Sequence, residues 1–151
     1  MKKQSKYVGW ILMAALILAV TLLRFSFFQH SPLVIQFQDG VFTAQLNGYS
    51  YSADLTKQTE IRLINILDRG TIVNGAVNGN ICAGLWESET YGEYALLADV
   101  SLPSYVLIQS ESQTLIVNTE SDVMTRELRQ ALVSTQAQLR SGTKDEQHGG
   151  T

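Results

Sequence analysis

The sequence predicts a mainly β domain with one C-terminal α-helix, preceded by one apolar N-terminal segment. Three observations predict this class. Short alternating runs are separated by turn dipeptides, of which Asp39-Gly40 and Asn47-Gly48 are the clearest, and this pattern indicates antiparallel strands. From residue 119 to residue 140 the apolar period becomes that of a helix. Residues 7–23 contain no charged side chain.

The apolar segment predicts a membrane anchor over residues 7–28. As a helix this stretch would be about 33 Å long, against about 30 Å for the hydrocarbon core of a bilayer. The lysines of residues 1–6 precede it, and no basic residue follows Arg24 until Lys57. The positive-inside rule therefore predicts a single-pass cell-membrane protein with a cytoplasmic N-terminus and an extracytoplasmic C-terminal domain. A cleaved signal peptide is the alternative, although the run is long for one and no small-residue cleavage site follows it.

Composition divides the chain into four segments. Residues 1–6 form a basic N-terminus and residues 7–28 the anchor. Residues 31–140 are enough for one domain with a core and too few for two. Residues 141–151 have nothing apolar to bury, so we expect a disordered tail. Residues 31–141 hold 12 acidic and 6 basic side chains, a net charge of −6, which argues against binding nucleic acid.

The runs of the soluble domain predict short strands and one long connection. The strands are predicted over 33–38, 41–46, 49–55, 59–65, 81–86, 93–100, 105–109 and 114–118. Residues 66–80 contain a VNG-A-VNG doublet, whose glycines we interpret as providing positive φ angles in a long connecting loop.

Residues 119–140 predict one amphipathic helix that packs on the sheet. Its N-cap candidates are Asn118, Thr119 and Ser121. The residues predicted to share its buried face are Met124, Leu128, Ala131, Leu132, Thr135 and Leu139.

This order of elements resembles the bacterial PH-like (pleckstrin-homology-like) domains that occur beside membrane spans. The residues that carry the resemblance are Tyr49–Leu55, Arg69, Asn74-Gly75, Gly84, Gly92-Glu93-Tyr94 and the run NTESDVMTRELRQAL at 118–132. The resemblance implies an antiparallel β-barrel or sandwich capped by the helix, with Asn118 and Thr125 at the family's Asn and Thr positions. It implies no established activity. Residues 31–56 contain no Lys or Arg, so we expect no phosphoinositide binding.

The residues needed for common catalytic sites are missing from the domain. The two histidines, His30 and His148, lie outside it, which argues against Ser-His-Asp or Cys-His catalysis and against zinc. Cys82 lies in the apolar run ICAGL and is predicted to be a buried small hydrophobe. We therefore expect neither enzymatic activity nor a catalytic, cofactor or metal site.

The sequence favours a membrane-anchored module that binds a protein or peptide at the membrane face. The candidate partner-binding residues are Trp86, Tyr91, Tyr94, Asn74 and Asn78, because aromatic residues favour recognition surfaces and the asparagines lie in the 66–80 segment. The alternative function is a sensor of a small ligand or a divalent ion. It would use the acidic side chains of Glu87, Glu89 and Glu93.

Overall fold

The computed structural model describes residues 33–145, with side chains described as far as residue 141. This part of the chain forms nine strands and one helix. The strands are β1 (Val34–Gln38), β2 (Val41–Leu46), β3 (Tyr49–Asp54), β4 (Thr59–Ile64), β5 (Thr71–Asn78), β6 (Ile81–Ser88), β7 (Gly92–Asp99), β8 (Tyr105–Ser110) and β9 (Thr114–Val117), and the helix is α1 (Asp122–Asp145). The helix thus includes the first residues of the segment 141–151.

The first sheet is the meander β1-β2-β3, which the two turn dipeptides predicted. Asp39 and Gly40 have φ angles of 51° and 80°, and Asn47 and Gly48 have φ angles of 51° and 84°. Positive φ at both central residues is the signature of a type I′ turn, whose twist matches that of the flanking strands. The prediction of a hairpin turn at each dipeptide is confirmed.

The second sheet has six strands in the order β4-β8-β9-β7-β6-β5. The β7 and β9 strands are parallel, with Ala95 opposite Leu115, while the other neighbours are antiparallel. The part of the predicted class that specified β-strands and a C-terminal helix is confirmed. The prediction that the strands are antiparallel fails at one pair, because β9 lies beside β7 in the same direction.

The fold class also included an N-terminal transmembrane helix, and this part of the class is wrong for the described chain. Between residues 33 and 145 no helix is both long enough and apolar enough to cross a bilayer. The predicted anchor, residues 7–28, lies outside the described residues, as do residues 1–6.

The interpretation of residues 66–80 as a long loop is wrong. Residues Thr71–Asn78 form β5, which pairs with β6 along its whole length apart from a bulge between Ile72 and Asn74. Gly75, which was interpreted as a loop glycine, lies inside this strand. Gly75 faces Gly84 across the β5–β6 pair, where a Cβ would collide with the backbone of the other strand. Of the two glycines in the doublet, Gly79 alone has the expected positive φ, at 60°, and Gly70 at the start of the segment has a φ of 61°.

The six-stranded sheet must curve, because β4 and β5 lie at its opposite edges and only residues 65–70 join them. In a flat sheet, five strand spacings together with the stagger given by the register would separate Ile64 from Thr71 by about 29 Å. Seven residue steps reach at most about 24 Å. The edges therefore approach each other, and the connecting segment 65–70 passes over one face of the sheet.

A separate core lies on each face of this sheet. The first core is between the two sheets and α1, and it includes Phe42 and Leu55 from the meander and Leu97 and Ile108 from the larger sheet. The second core lies on the concave face, over which the 65–70 segment passes. It is formed by Cys82, Trp86, Tyr94, Leu96, Ala98, Tyr105, Leu107 and Ile116. Both faces of the central strands are consequently apolar.

Helix α1 packs on β4 and β8, and its buried face agrees in part with the predicted one. Leu132 is buried and Leu128 and Leu139 pack against the first core, as predicted, but Met124 and Ala131 are exposed and Thr125 is buried. Polar side chains occupy part of the packed side of the helix. The Thr125 hydroxyl donates to the Ser121 carbonyl at 2.8 Å, and the Gln136 side chain donates to the Thr59 carbonyl at 2.8 Å. Hydrophobic periodicity does not register such polar contacts.

Asn118 joins the end of β9 to the end of β7. Its buried side-chain amide accepts a hydrogen bond from the Asp99 N–H and donates one to the Asp99 carbonyl, both at 2.8 Å. The Ser121 hydroxyl oxygen then accepts from the Met124 N–H at 3.2 Å, so Ser121 is the N-cap among the three candidates.

We expect Asn118→Ala to lower the free energy of unfolding by about 2 kcal/mol, because two backbone groups of Asp99 lose their partner. Chemical denaturation of the full chain measures this loss. Asn78→Ala is the matched control, since Asn78 is exposed and its loss should change the free energy by less than about 0.5 kcal/mol. Equal effects of the two substitutions would contradict this assignment.

Candidate interaction site

The β6–β7 hairpin carries the three aromatic candidates, and two of them belong to the second core. Trp86 and Tyr94 are 3% and 1% exposed and lie directly opposite each other in the register. The Tyr91 ring meets the Tyr94 ring edge to face, with centroids 5.4 Å apart, and Tyr91 is half-buried. Trp86 and Tyr94 therefore hold the curved sheet together and offer no surface to a partner.

These aromatic residues fasten the 65–70 segment over the concave face. The Tyr94 hydroxyl donates to the Arg69 carbonyl at 2.7 Å and to the Asp68 carbonyl at 3.2 Å. The Arg69 guanidinium lies 5.5 Å from the centre of the Trp86 ring, a cation–π geometry. Burial raises the pKa of the Tyr94 hydroxyl far above its ordinary value, so this group keeps its proton and stays a donor.

An acidic cleft lies at the end of this hairpin. It has a volume of about 430 Å³ and is lined by Asp68, Gly70, Thr71, Glu87, Ser88 and Glu89. Sequence reasoning anticipated the two glutamates and missed Asp68, which the 65–70 segment brings alongside them. The Asp68 carboxylate accepts the Thr90 N–H at 3.1 Å. Hydrogen bonding from Thr90 lowers the pKa of Asp68, which keeps the carboxylate charged.

Glu93 lies opposite Glu87 in the register, on the outer side of the hairpin. Both carboxylates are exposed, so solvent screens their repulsion. Within residues 33–145 no group of three or more His, Cys, Asp or Glu side chains is arranged to hold a metal ion. The three glutamates of the sensing hypothesis thus lie near one another without forming a cation site.

Cys82 lies within the second core. Its thiol is free and fully buried, as the sequence predicted, and burial raises its pKa. A raised pKa disfavours the nucleophilic thiolate, so Cys82 serves packing.

The remaining candidates, Asn74 and Asn78, lie on β5, which is an edge strand. Its inner side pairs with β6, and no described strand pairs with its outer side. All its residues are exposed except Gly75, which is partly so, and Ile72, Val73 and Val77 are 46%, 50% and 52% exposed. An eight-residue strand thus presents an unpaired row of backbone groups beside apolar side chains.

In the described part of the chain this edge has a bulge between Ile72 and Asn74 but lacks the other devices that keep edge strands from pairing. Such devices include charges, proline and a covering element. The β4 edge has them: α1 lies against it, and Glu60 and Arg62 form an exposed ion pair at 2.9 Å. The β5 strand, TIVNGAVN, contains neither charge nor proline. The β1 edge is also uncharged, but it is only five residues long.

The structure therefore separates the five predicted residues into two groups. Trp86 and Tyr94 are core residues, with Tyr91 half-buried beside them, while Asn74 and Asn78 lie on the open edge. Ile72, Val73 and Val77 were missed because the segment was interpreted as a loop. Ile72 and Val73 are adjacent and Gly75 interrupts the run, so these residues lack the regular alternation with polar residues that would have indicated a strand. Comparisons with known proteins add nothing to this assignment: no family model, no curated protein and no solved structure matches the chain, so the PH-like resemblance stays a prediction.

Proposed function

We propose that this protein is a non-enzymatic interaction module that binds a partner protein or peptide along the outer edge of β5. The observation that carries the proposal is the long, exposed, uncharged and unpaired edge strand. An extended segment added to such an edge gains main-chain hydrogen bonds, and alternate side chains supply contacts. The exposed Ile72, Val73 and Val77 provide the apolar part of that contact.

Two further features support this function over catalysis. Residues 33–145 contain no histidine, so the usual general base is missing from the described part of the chain. Its cysteine is buried with a raised pKa. The sensing function is the weaker candidate, because the described acidic side chains form no cation site. Attachment to the cell membrane stays a prediction from the sequence.

Charges placed on the β5 edge should weaken binding. We expect Val77→Lys and Val77→Asp each to weaken binding at least tenfold, because either charge would have to be desolvated against the incoming strand. The probe is a displayed library of random dodecapeptides, selected on the full chain and followed by anisotropy titration of the enriched peptides. Hydrogen exchange should show new protection confined to residues 71–88.

The matched controls are Val34→Lys and Val34→Asp on β1. Val34 is 44% exposed and also lies on an edge strand, so the same charges enter a similar setting in the other sheet. These variants should bind like the wild type. Peptides that bind all four variants equally, or that protect a region away from β5 and β6, would overturn the proposed function.

A further inference from the structure

The β5 edge runs directly into the acidic cleft. Thr71 is the first residue of β5 and also lines the cleft, together with Asp68, Glu87 and Glu89. A strand lying along the edge from Asn78 towards Thr71 would continue into this cleft. The edge and the cleft therefore form one continuous surface. It is apolar along β5 and negatively charged beside Thr71.

The charge of this surface indicates the chemistry of its occupant. Asp68, Glu87 and Glu89 make no ion pair with any residue in the described part of the chain. The surrounding domain, residues 31–141, carries a net charge of −6. A second copy of the chain would bring the same net charge, whereas a cationic segment would be attracted. Charge complementarity thus favours a basic partner over self-association.

The direction of the added strand follows from the energetics of pairing. Antiparallel pairing is slightly more stable per residue than parallel pairing. A segment antiparallel to β5 has its C-terminal end beside Thr71. A basic side chain near that end would therefore reach the cleft while the preceding residues pair with the edge.

Building on the proposed function, we propose that β5 binds an extended segment of a partner protein as an antiparallel strand, and that a Lys or Arg near the C-terminal end of that segment enters the Asp68, Glu87 and Glu89 cleft. The edge supplies the main-chain pairing, and the cleft selects for positive charge. An exposed ion pair contributes modestly, so the expected selectivity is also modest.

The test compares two blocked peptides that alternate Thr and Val over eight residues and carry either lysine or norleucine at the following position. The two side chains share the same apolar stem and differ in charge. We expect the lysine peptide to bind the full chain about fivefold more tightly at low ionic strength, with the ratio falling as salt is added. A third peptide with lysine moved to the N-terminal end should lose this advantage.

Two double variants locate the effect. Glu87→Gln with Glu89→Gln should reduce the lysine-to-norleucine ratio to about twofold or less, because Asp68 alone remains charged in the cleft. Glu111→Gln with Glu127→Gln makes the same change in net charge at exposed positions elsewhere and should leave the ratio near its wild-type value. Edge pairing itself is retained in both variants, so the norleucine peptide should bind them alike.

Four other results would overturn the inference, and each shows which of the two proposals fails. Equal binding of lysine and norleucine peptides removes the charge selection and leaves the proposed function standing. If neither peptide binds while library peptides still protect β5 from hydrogen exchange, this inference is likewise removed and the proposed function stands. Loss of library binding as well removes both proposals. A dimer of the full chain that Val77→Asp dissociates would assign the edge to a second copy.

Discussion

Gly84→Ala is expected to lower the free energy of unfolding by about 3 kcal/mol or more. Gly84 has a φ of 133°, a conformation that side chains rarely adopt. A Cβ built at this position would come within 3.0 Å of the Asn74 carbonyl oxygen and the Gly75 Cα. Both obstacles are backbone atoms of β5, so relief requires the two strands to separate.

Gly79→Ala is the control for backbone conformation alone. Gly79 has a φ of 60°, and a Cβ there would have no neighbour within 4 Å. We expect a loss of about 1 kcal/mol, the cost of a left-handed conformation for alanine. Denaturant titration of both variants gives the difference, which measures the collision with β5 together with the more strained φ of Gly84. Equal losses would mean that β5 does not approach β6 as closely as the structure shows.

The same glycine pair explains why sequence reasoning found eight of the strands and missed the ninth. Asp39-Gly40 and Asn47-Gly48 are local signals, since the positive φ that they favour is required by the turn itself. Gly75 answers a nonlocal requirement, the close approach of Gly84 from the next strand. Nothing in the residues around Gly75 distinguishes these two uses of glycine.

The candidate site was predictable only in part, for a related reason. Aromatic composition drew attention to Trp86 and Tyr94, yet composition does not report which face of a strand is covered. Their burial depends on the 65–70 segment passing over the concave face. That path follows from the strand order, in which β4 and β5 occupy opposite edges. Strand order is a property of the whole chain, so neither the open edge nor the position of Asp68 beside the glutamates could be read locally.

Trp86→Ala is expected to lower the free energy of unfolding by about 3–5 kcal/mol, the usual range for deleting a large buried ring. Trp86 is 3% exposed, faces Tyr94 across the hairpin, and supports the Arg69 guanidinium from below. Its removal opens a cavity in the second core and releases one contact of the 65–70 segment. For a domain of this size the melting temperature should fall by on the order of 15 °C.

Trp86→Phe separates packing from hydrogen bonding. The Trp86 indole nitrogen is buried and has no hydrogen-bond partner in the described part of the chain. Phenylalanine keeps an aromatic ring and removes this unpaired donor, so the relief of an unsatisfied group offsets part of the lost volume. We expect a loss of at most about 1.5 kcal/mol, measured by thermal and chemical denaturation of both variants.

Binding measurements on the same variants distinguish a core residue from a contact residue. If Trp86 only supports the fold, Trp86→Phe should bind library-selected peptides with wild-type affinity, because β5 and its edge are intact. A contact residue would behave differently: Trp86→Ala would keep wild-type stability and lose binding. That result would contradict the burial of Trp86. It would indicate that the interaction surface is the aromatic β6–β7 hairpin and not the β5 edge.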